Sequence, residues 1–317
     1  MYGGSVTQSL GFSEVAMRVI FFGTGAMACF FAARFALSGV ARITMMGTWT
    51  EAIHAIRKNG ICIEDAAGTR LADVDAAFYD KPVPRADLAI VLVKSWQTPR
   101  VAGLLEKNLK PGGTALSLQN GLGNIEALGG RAFAGVTFEG ATLICPGHVA
   151  HHGIGTTFIT APEPVLELFR CAGFETYGCA PEKTESLVWG KLAVNCGINA
   201  LTVLCGVKNG ELLKRRSAAV LMEKATMECA AVARARGVEL PYADPAAEVR
   251  ETVRRTAGNV SSMLMDVLRG APTECDAING AVTREGKRLG VPVPVNEALW
   301  RAITFRNCSE IKCTDWL

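Results

Sequence analysis

Between Trp189 and Thr202, Lys191, Asn195 and Asn199 recur at every fourth position. On a helix that spacing stacks them into one polar line. Leu187, Val188, Leu192, Val194, Ile198 and Leu201 flank the line, so the segment lacks the broad charged face of a surface helix. An ammonium among apolar groups is costly, and desolvation lowers its pKa toward values useful for proton transfer. Such a lysine can protonate a developing alkoxide while the amides hold a carboxylate or carbonyl. The structural alternative pairs Lys191 with a core carboxylate and uses the amides to satisfy neighbouring backbone.

A second group lies near the start of the chain, in Gly23-Thr24-Gly25-Ala26-Met27-Ala28. It falls where a strand pattern gives way to a helix pattern. The first Gly permits a tight turn, the second lets backbone amides approach a pyrophosphate, and Ala28 allows close helix packing. The helix start then offers unpaired N–H groups to the anion. Dinucleotide binding by Gly23, Thr24, Gly25, Ala26 and Met27 is the expected function. After the second strand the sequence reads Met46-Gly47-Thr48-Trp49-Thr50, with no acid before Glu51. Missing the acid that grips ribose hydroxyls in NAD enzymes, the chain is expected to take NADP(H). The arginine that would grip a 2′-phosphate is missing too, which leaves Thr48, Thr50 and Lys94 as substitutes.

Farther on, Thr273 reads as a helix N-cap, with Glu274 and Asp276 in the first turn. Capping and the helix dipole account for both acids without a function. Ser261-Ser262 likewise reads as a helix start. His148, His151 and His152 have ligand-like spacing, but Pro146, Gly147 and Gly153 disfavour the helix that would gather them, and no metal is expected.

The elements that must position these residues follow two patterns. Arg18–Phe22, Arg42–Met46, Leu88–Val93 and Thr114–Leu118 read as strands, alternating with helices at Ala26–Ser38, Thr50–Asn59 and Thr98–Leu109. That alternation predicts an α/β fold, an N-terminal Rossmann-type doubly wound sheet with parallel strands. Residues 136–160 suggest an antiparallel hairpin closing the sheet. After Pro181 helical patterns dominate: Glu185–Leu204, Ala218–Arg236, Pro245–Thr256, Ser262–Leu268, Glu274–Leu289 and Asn296–Asn307. We expect a dinucleotide-binding domain over 17–182 and an all-helical substrate and catalytic domain over 183–317. Residues 1–16, rich in Gly and Ser, read as a disordered leader or tag remnant.

Composition narrows the partners. The 317 residues carry 33 basic and 30 acidic side chains, a net charge of +3, and so lack the basic field of a nucleic-acid binder. Eleven cysteines, an odd number with no Cys-x-x-Cys pair, suit a reducing cytoplasm better than a disulfide framework. Cys308 and Cys313 near the C-terminus are close enough in sequence to pair, though nothing requires it. The apolar stretch after Met17-Arg18 imitates a signal peptide, but Gly23 and Gly25 interrupt it. No other segment is expected to have the apolar length of a membrane span. A small-molecule partner is expected, and a homodimer is compatible with the pattern.

Together these blocks resemble the ketopantoate reductases (2-dehydropantoate 2-reductases). The resemblance rests on Trp189, Lys191-Leu192, Asn195, Ile198–Thr202, Asn209–Leu212, Asn259–Leu264 and Thr273–Gly280. In the first half Val93–Gln97 and Gln119–Asn124 match the same family, and the likeness runs from about Arg18 to Leu299. It implies reduction of a 2-keto acid to the 2-hydroxy acid by hydride transfer from NADPH, a step of pantothenate and coenzyme A biosynthesis. By the same resemblance Lys191 is the acid that protonates the keto oxygen, and Glu274 binds substrate and supports the lysine. Asn195, Asn199, Asn209 and Ser262 hold the keto acid, and Lys94 and Asn120 contact the cofactor. The family's arginine after the second strand is absent around Gly47. Rival readings are a reductase of another small 2-keto acid, a 3-hydroxyacid dehydrogenase, and a non-catalytic NADP-binding sensor, which would not need both Lys191 and Glu274.

Overall fold

The computed structural model describes residues 17–153 and 155–308; the expected leader at 1–16, Cys313 and the side chain of Cys308 lie outside what it describes. The first half runs β1 (Arg18–Phe22), α1 (Ala26–Ser38), β2 (Arg42–Gly47), α2 (Thr50–Asn59), β3 (Ile61–Asp65), β4 (Gly68–Ala72) and β5 (Asp75–Phe78). It continues through β6 (Ala86–Val91), α3 (Thr98–Asn108), β7 (Leu109–Ser117), α4 (Asn124–Ala127) and β8 (Ala132–Thr137). Then come β9 (Gly140–Cys145), β10 (His148–Gly153), β11 (Thr157–Ile159), α5 (Glu163–Cys171) and β12 (Thr176–Gly178).

The main sheet has the order β12-β11-β8-β7-β6-β1-β2-β5. From β8 to β5 every neighbouring pair is parallel, whereas β11 runs antiparallel to β8. Phe21, Ile20, Ile90 and Leu116 are buried along its central strands, as expected where helices cover both faces. The apolar stretch that imitates a signal peptide thus contains β1, a central strand of this sheet.

The expected hairpin at 136–160 exists as β9 and β10, but it does not close the main sheet. It belongs to a second sheet of order β4-β3-β10-β9, in which β10 pairs parallel to β3. The second sheet lies against α1, whose Phe30 ring stacks on His151 at 4.4 Å between centroids. Sheet contacts on more than one side explain why α1 is apolar nearly all round, with Phe30, Phe31 and Phe35 all buried. The histidines have local partners: His148 Nε2 is 2.8 Å from Glu64 Oε1, and His151 Nε2 is 2.7 Å from Glu139 Oε2.

From Pro181 the chain is helical. It forms α6 (Pro181–Cys205), α7 (Glu211–Lys214), α8 (Arg216–Ala235), α9 (Pro245–Arg255), α10 (Ser262–Leu268), α11 (Ala281–Leu289) and α12 (Pro294–Cys308). The helix expected over Glu274–Leu289 opens instead with a π-helical turn at Asp276–Gly280, a distortion frequent at functional sites. Contrary to the sequence expectation, α6 is long and apolar enough to cross a membrane, but 72% of its apolar window is buried within the protein. Trp189, Leu192, Cys196 and Leu201 bury its sides in the helical core.

Small residues let other helices approach α6. A Cβ added at Gly197 would stand 2.4 Å from Thr226 Oγ1 and 2.8 Å from Met222 O on α8. Because Met222 O is backbone, the helices must separate to admit a methyl group. Gly197→Ala is therefore expected to destabilise the fold by about 1–3 kcal/mol. A lower urea midpoint with an unchanged slope would show it, whereas an unchanged midpoint would mean that α8 yields freely.

Candidate active site

The parallel strands end along one edge of the main sheet, and the direction of winding reverses there between β1 and β6. Such a switch point opens a crevice outside the strand ends. Gly23–Gly25 follows β1, Lys94-Ser95 lies beyond β6, and Gln119–Gly121 lies beyond β7. Thr137 is the last residue of β8.

The glycine turn fits a dinucleotide pyrophosphate. Gly23 has φ +124°, and a Cβ there would meet Leu92 O at 3.0 Å, so only glycine suits the turn. Gly25 is the N-cap of α1 and has no side-chain cap, and the space in front of its Cα is open. The first amides of α1 are therefore left for an anion. Thr24 and Ala28 are buried, while Ala26 and Met27 are half-buried at the helix start.

α6 brings Lys191 to the end of β8, where its Nζ donates to Thr137 O at 2.7 Å. The ring of Phe138 lies 5.9 Å from the same nitrogen. Burial strips water from the ammonium and pulls its pKa down from 10.5 to about 8, against a partial upward pull from Glu274. The structural alternative needed a carboxylate on Lys191. Among the described residues no carboxylate touches it, and its direct acceptor is a backbone carbonyl. Asn195, one turn along α6, lines the same narrow pocket with Asn120, Gly121 and Val188.

Glu274 reaches across to the first half. Its carboxylate accepts from Ser95 N at 3.0 Å and sits 3.4 Å from Lys94 Nζ. Lys94 Nζ also donates to Asp266 Oδ2 at 2.7 Å. Burial opposes the charge on Lys94, yet Glu274 and Asp266 outweigh it and hold the pKa above its ordinary value. Burial pushes the Asp266 carboxyl up, and Lys94 offsets part of that rise. The capping account of Glu274 is therefore corrected: its carboxylate serves the Lys94-Ser95 loop instead of its own helix. Asp276, by contrast, pairs at the surface with Arg284 at 2.8 Å.

One further contact joins the halves at this crevice, and another seats the second half's turn. Leu122 N donates to Ala277 O at 3.0 Å. Asn279 Nδ2 donates to Cys196 O at 3.2 Å, which seats the π-helical turn against α6. Gln119 braces the loops from the first half, donating to Val93 O at 2.9 Å and Thr98 Oγ1 at 2.8 Å.

The structure thus gathers Lys191, Asn195 and Asn120 around one pocket and joins Lys94 to Glu274. Asn199 is buried farther along α6. Asn209, just beyond α6, donates through Nδ2 to Thr256 Oγ1 at 3.0 Å, and its buried Oδ1 has no hydrogen-bond partner among the described residues. Ser262 is exposed at the start of α10, and the cap is Ser261, whose Oγ accepts from Leu264 N at 3.1 Å. Neither Asn209 nor Ser262 lines the Lys191 pocket. Sequence reasoning missed Asp266, the Thr137 carbonyl and Phe138. The acid four residues after Ser262 was a usable signal, whereas a backbone acceptor leaves none.

Family models for ketopantoate reductase PanE/ApbA and its C-terminal region match residues 19–164 and 183–307. A 2-dehydropantoate 2-reductase of Halobacterium salinarum is 33% identical over 89% of this chain and 96% of its own length. One of Archaeoglobus fulgidus is 34% identical over 89% and 95%. A PanE/ApbA family ketopantoate reductase from Ralstonia eutropha superposes with a TM-score of 0.85 at 30% identity, covering 92% of this chain and 99% of that one. D-mandelate dehydrogenase shares the fold, with a TM-score of 0.86 at 23% identity. On this similarity along nearly its whole described length, the chain belongs to the ketopantoate reductase family.

Proposed function

We propose that Lys191 is the general acid with which this chain reduces 2-dehydropantoate to pantoate, using NADPH, on the route to pantothenate and coenzyme A. The observation that carries the role is a desolvated ammonium, with its pKa near 8, in the crevice beside the strand ends. When bound, the nicotinamide supplies the hydride. Negative charge then grows on the keto oxygen, where Lys191 stabilises it and gives up the proton that completes the hydroxyl. One N–H of Lys191 is committed to Thr137 O, which aims the remaining protons into the pocket.

The amides of Gly23, Thr24, Gly25, Ala26 and Met27 suit the pyrophosphate, with Lys94 and Asn120 as further cofactor contacts. Asn195 and Asn199 are assigned to the keto acid, together with Ser262 and Asn209. Asn209 Oδ1, buried without a partner among the described residues, is an acceptor for a substrate hydroxyl. Glu274 sets the charge balance of Lys94 and Lys191. A reducing cytoplasm suits the nine free cysteines among the described residues.

The test is NADPH oxidation with ketopantoate, pyruvate and 2-ketoisovalerate across pH. Ketopantoate is expected to be preferred. Because the acid must be protonated, kcat/KM for reduction should be level below the Lys191 pKa of about 8 and fall above it. The reverse oxidation should rise over the same range. A falling limb absent from the reduction profile sinks the acid role, and no oxidation with any keto acid favours the sensor reading.

A further inference from the structure

The loop after β2 lacks an arginine, yet the structure places one on the residue that follows the neighbouring strand β5. Gly47 at the end of β2 pairs with Phe78 at the end of β5. The next residues, Thr48 and Tyr79, therefore leave neighbouring strands at the same edge of the sheet. Tyr79 turns its ring toward the face covered by α3, packing near Phe22 and in one core cluster with Val101 and Leu105. Over that ring, at 5.1 Å from its centroid, lies the guanidinium of Arg100 from the first turn of α3.

Arg100 is exposed. Among the described residues its guanidinium has no ion-pair and no hydrogen-bond partner, and it lies on the Tyr79 ring. A guanidinium resting on an aromatic face keeps its in-plane N–H groups free, and that planar fork matches a phosphate. Tyr79 adds a second observation: the residue is 8% exposed, and its buried hydroxyl has no hydrogen-bond partner among the described residues. Burial pushes that phenol up to about 12, with Arg100 pulling the other way. The hydroxyl is therefore a neutral support and adds no negative charge that would repel a phosphate. Thr48 and Thr50 are exposed across the same edge and offer hydroxyl donors. Gly47 itself has no room for a side chain, since a Cβ there would lie 2.9 Å from Thr24 Cγ2.

We propose that Arg100, propped on Tyr79, is the specificity-determining residue that reads the 2′-phosphate of NADP(H) in this chain, replacing an arginine directly after β2. The inference rests on the reading that the dinucleotide crosses the glycine turn with its adenosine end toward β2. It makes the preference for the phosphorylated cofactor a property of α3.

Isothermal titration calorimetry of the full chain with NADPH and NADH tests it without turnover. Arg100→Gln should weaken NADPH roughly 10- to 100-fold and leave NADH within about twofold. Arg100→Lys should retain part of the NADPH affinity, because it keeps the charge and loses the fork. An exposed residue bearing no hydrogen bond should leave the thermal midpoint unchanged, which separates binding from folding. Equal losses for both cofactors, or no loss for either, overturn the Arg100 assignment while leaving the dinucleotide site intact. A wild-type chain that binds neither cofactor removes the dinucleotide reading and this inference together.

Discussion

Lys191→Ala is expected to lower kcat for ketopantoate reduction by about 10²–10⁴-fold, with NADPH affinity changed by no more than about threefold. The asymmetry follows from position. Lys191 lies on α6, hydrogen-bonds to Thr137 O at the end of β8 and lies beside the Phe138 ring, whereas the glycine turn that suits the pyrophosphate follows β1. Its loss removes the proton donor and the charge that offsets the developing alkoxide, two effects confined to the chemical step. Lys191→Arg separates them. Arginine keeps the positive charge but does not release a proton in this pH range, so kcat should stay depressed and the limb near pH 8 should vanish. Single-turnover kinetics at saturating substrate, with cofactor titration alongside, is the measurement. A Lys191→Ala chain within about threefold of wild-type kcat contradicts the role.

The sequence made parts of this site readable and hid others for physical reasons. Lys191 and Asn195 were legible because helical period alone places residues four apart on one line, and the apolar flanks pointed to burial. The glycine turn was legible because Gly23 must adopt φ +124°. The partner of Glu274 was not. Lys94 and Glu274 lie 180 residues apart, and no local pattern pairs a loop after β6 with a turn in the second half. Capping explained Glu274 too well, since the same residue type suits a helix start and a cross-crevice ion pair. The β9–β10 hairpin shows a related limit. Its alternating residues announce strands, but the choice of sheet is made by β3 and α1, through contacts such as His151 on Phe30. Arg100 was invisible for the same reason: its significance comes from Tyr79 lying beneath it.

Glu274→Gln should cut kcat/KM for ketopantoate by roughly 10²-fold near neutral pH and move the falling limb of the pH profile to lower pH. Glutamine is nearly isosteric, and its Oε1 can still accept from Ser95 N, as the carboxylate does at 3.0 Å. The local fold is thereby kept while one negative charge is removed. That charge acts on two lysines. On Lys191 it opposes desolvation and holds the pKa up, so neutralising it lets desolvation act further and the pKa falls below about 8. The protonated fraction at a given pH then drops, and reduction is lost earlier on the way up. On Lys94 it shares the ammonium with Asp266, and its removal leaves Lys94 bound to Asp266 alone, shifted from its place between the two carboxylates. Such misplacement weakens the geometry that both cofactor and substrate meet, which is why the loss should exceed the effect of protonation alone. A merely structural Glu274 would lower activity at every pH equally, with the limb unmoved. A limb displaced to higher pH would reverse the sign of the coupling and show that Glu274 acts on Lys191 through something other than its charge.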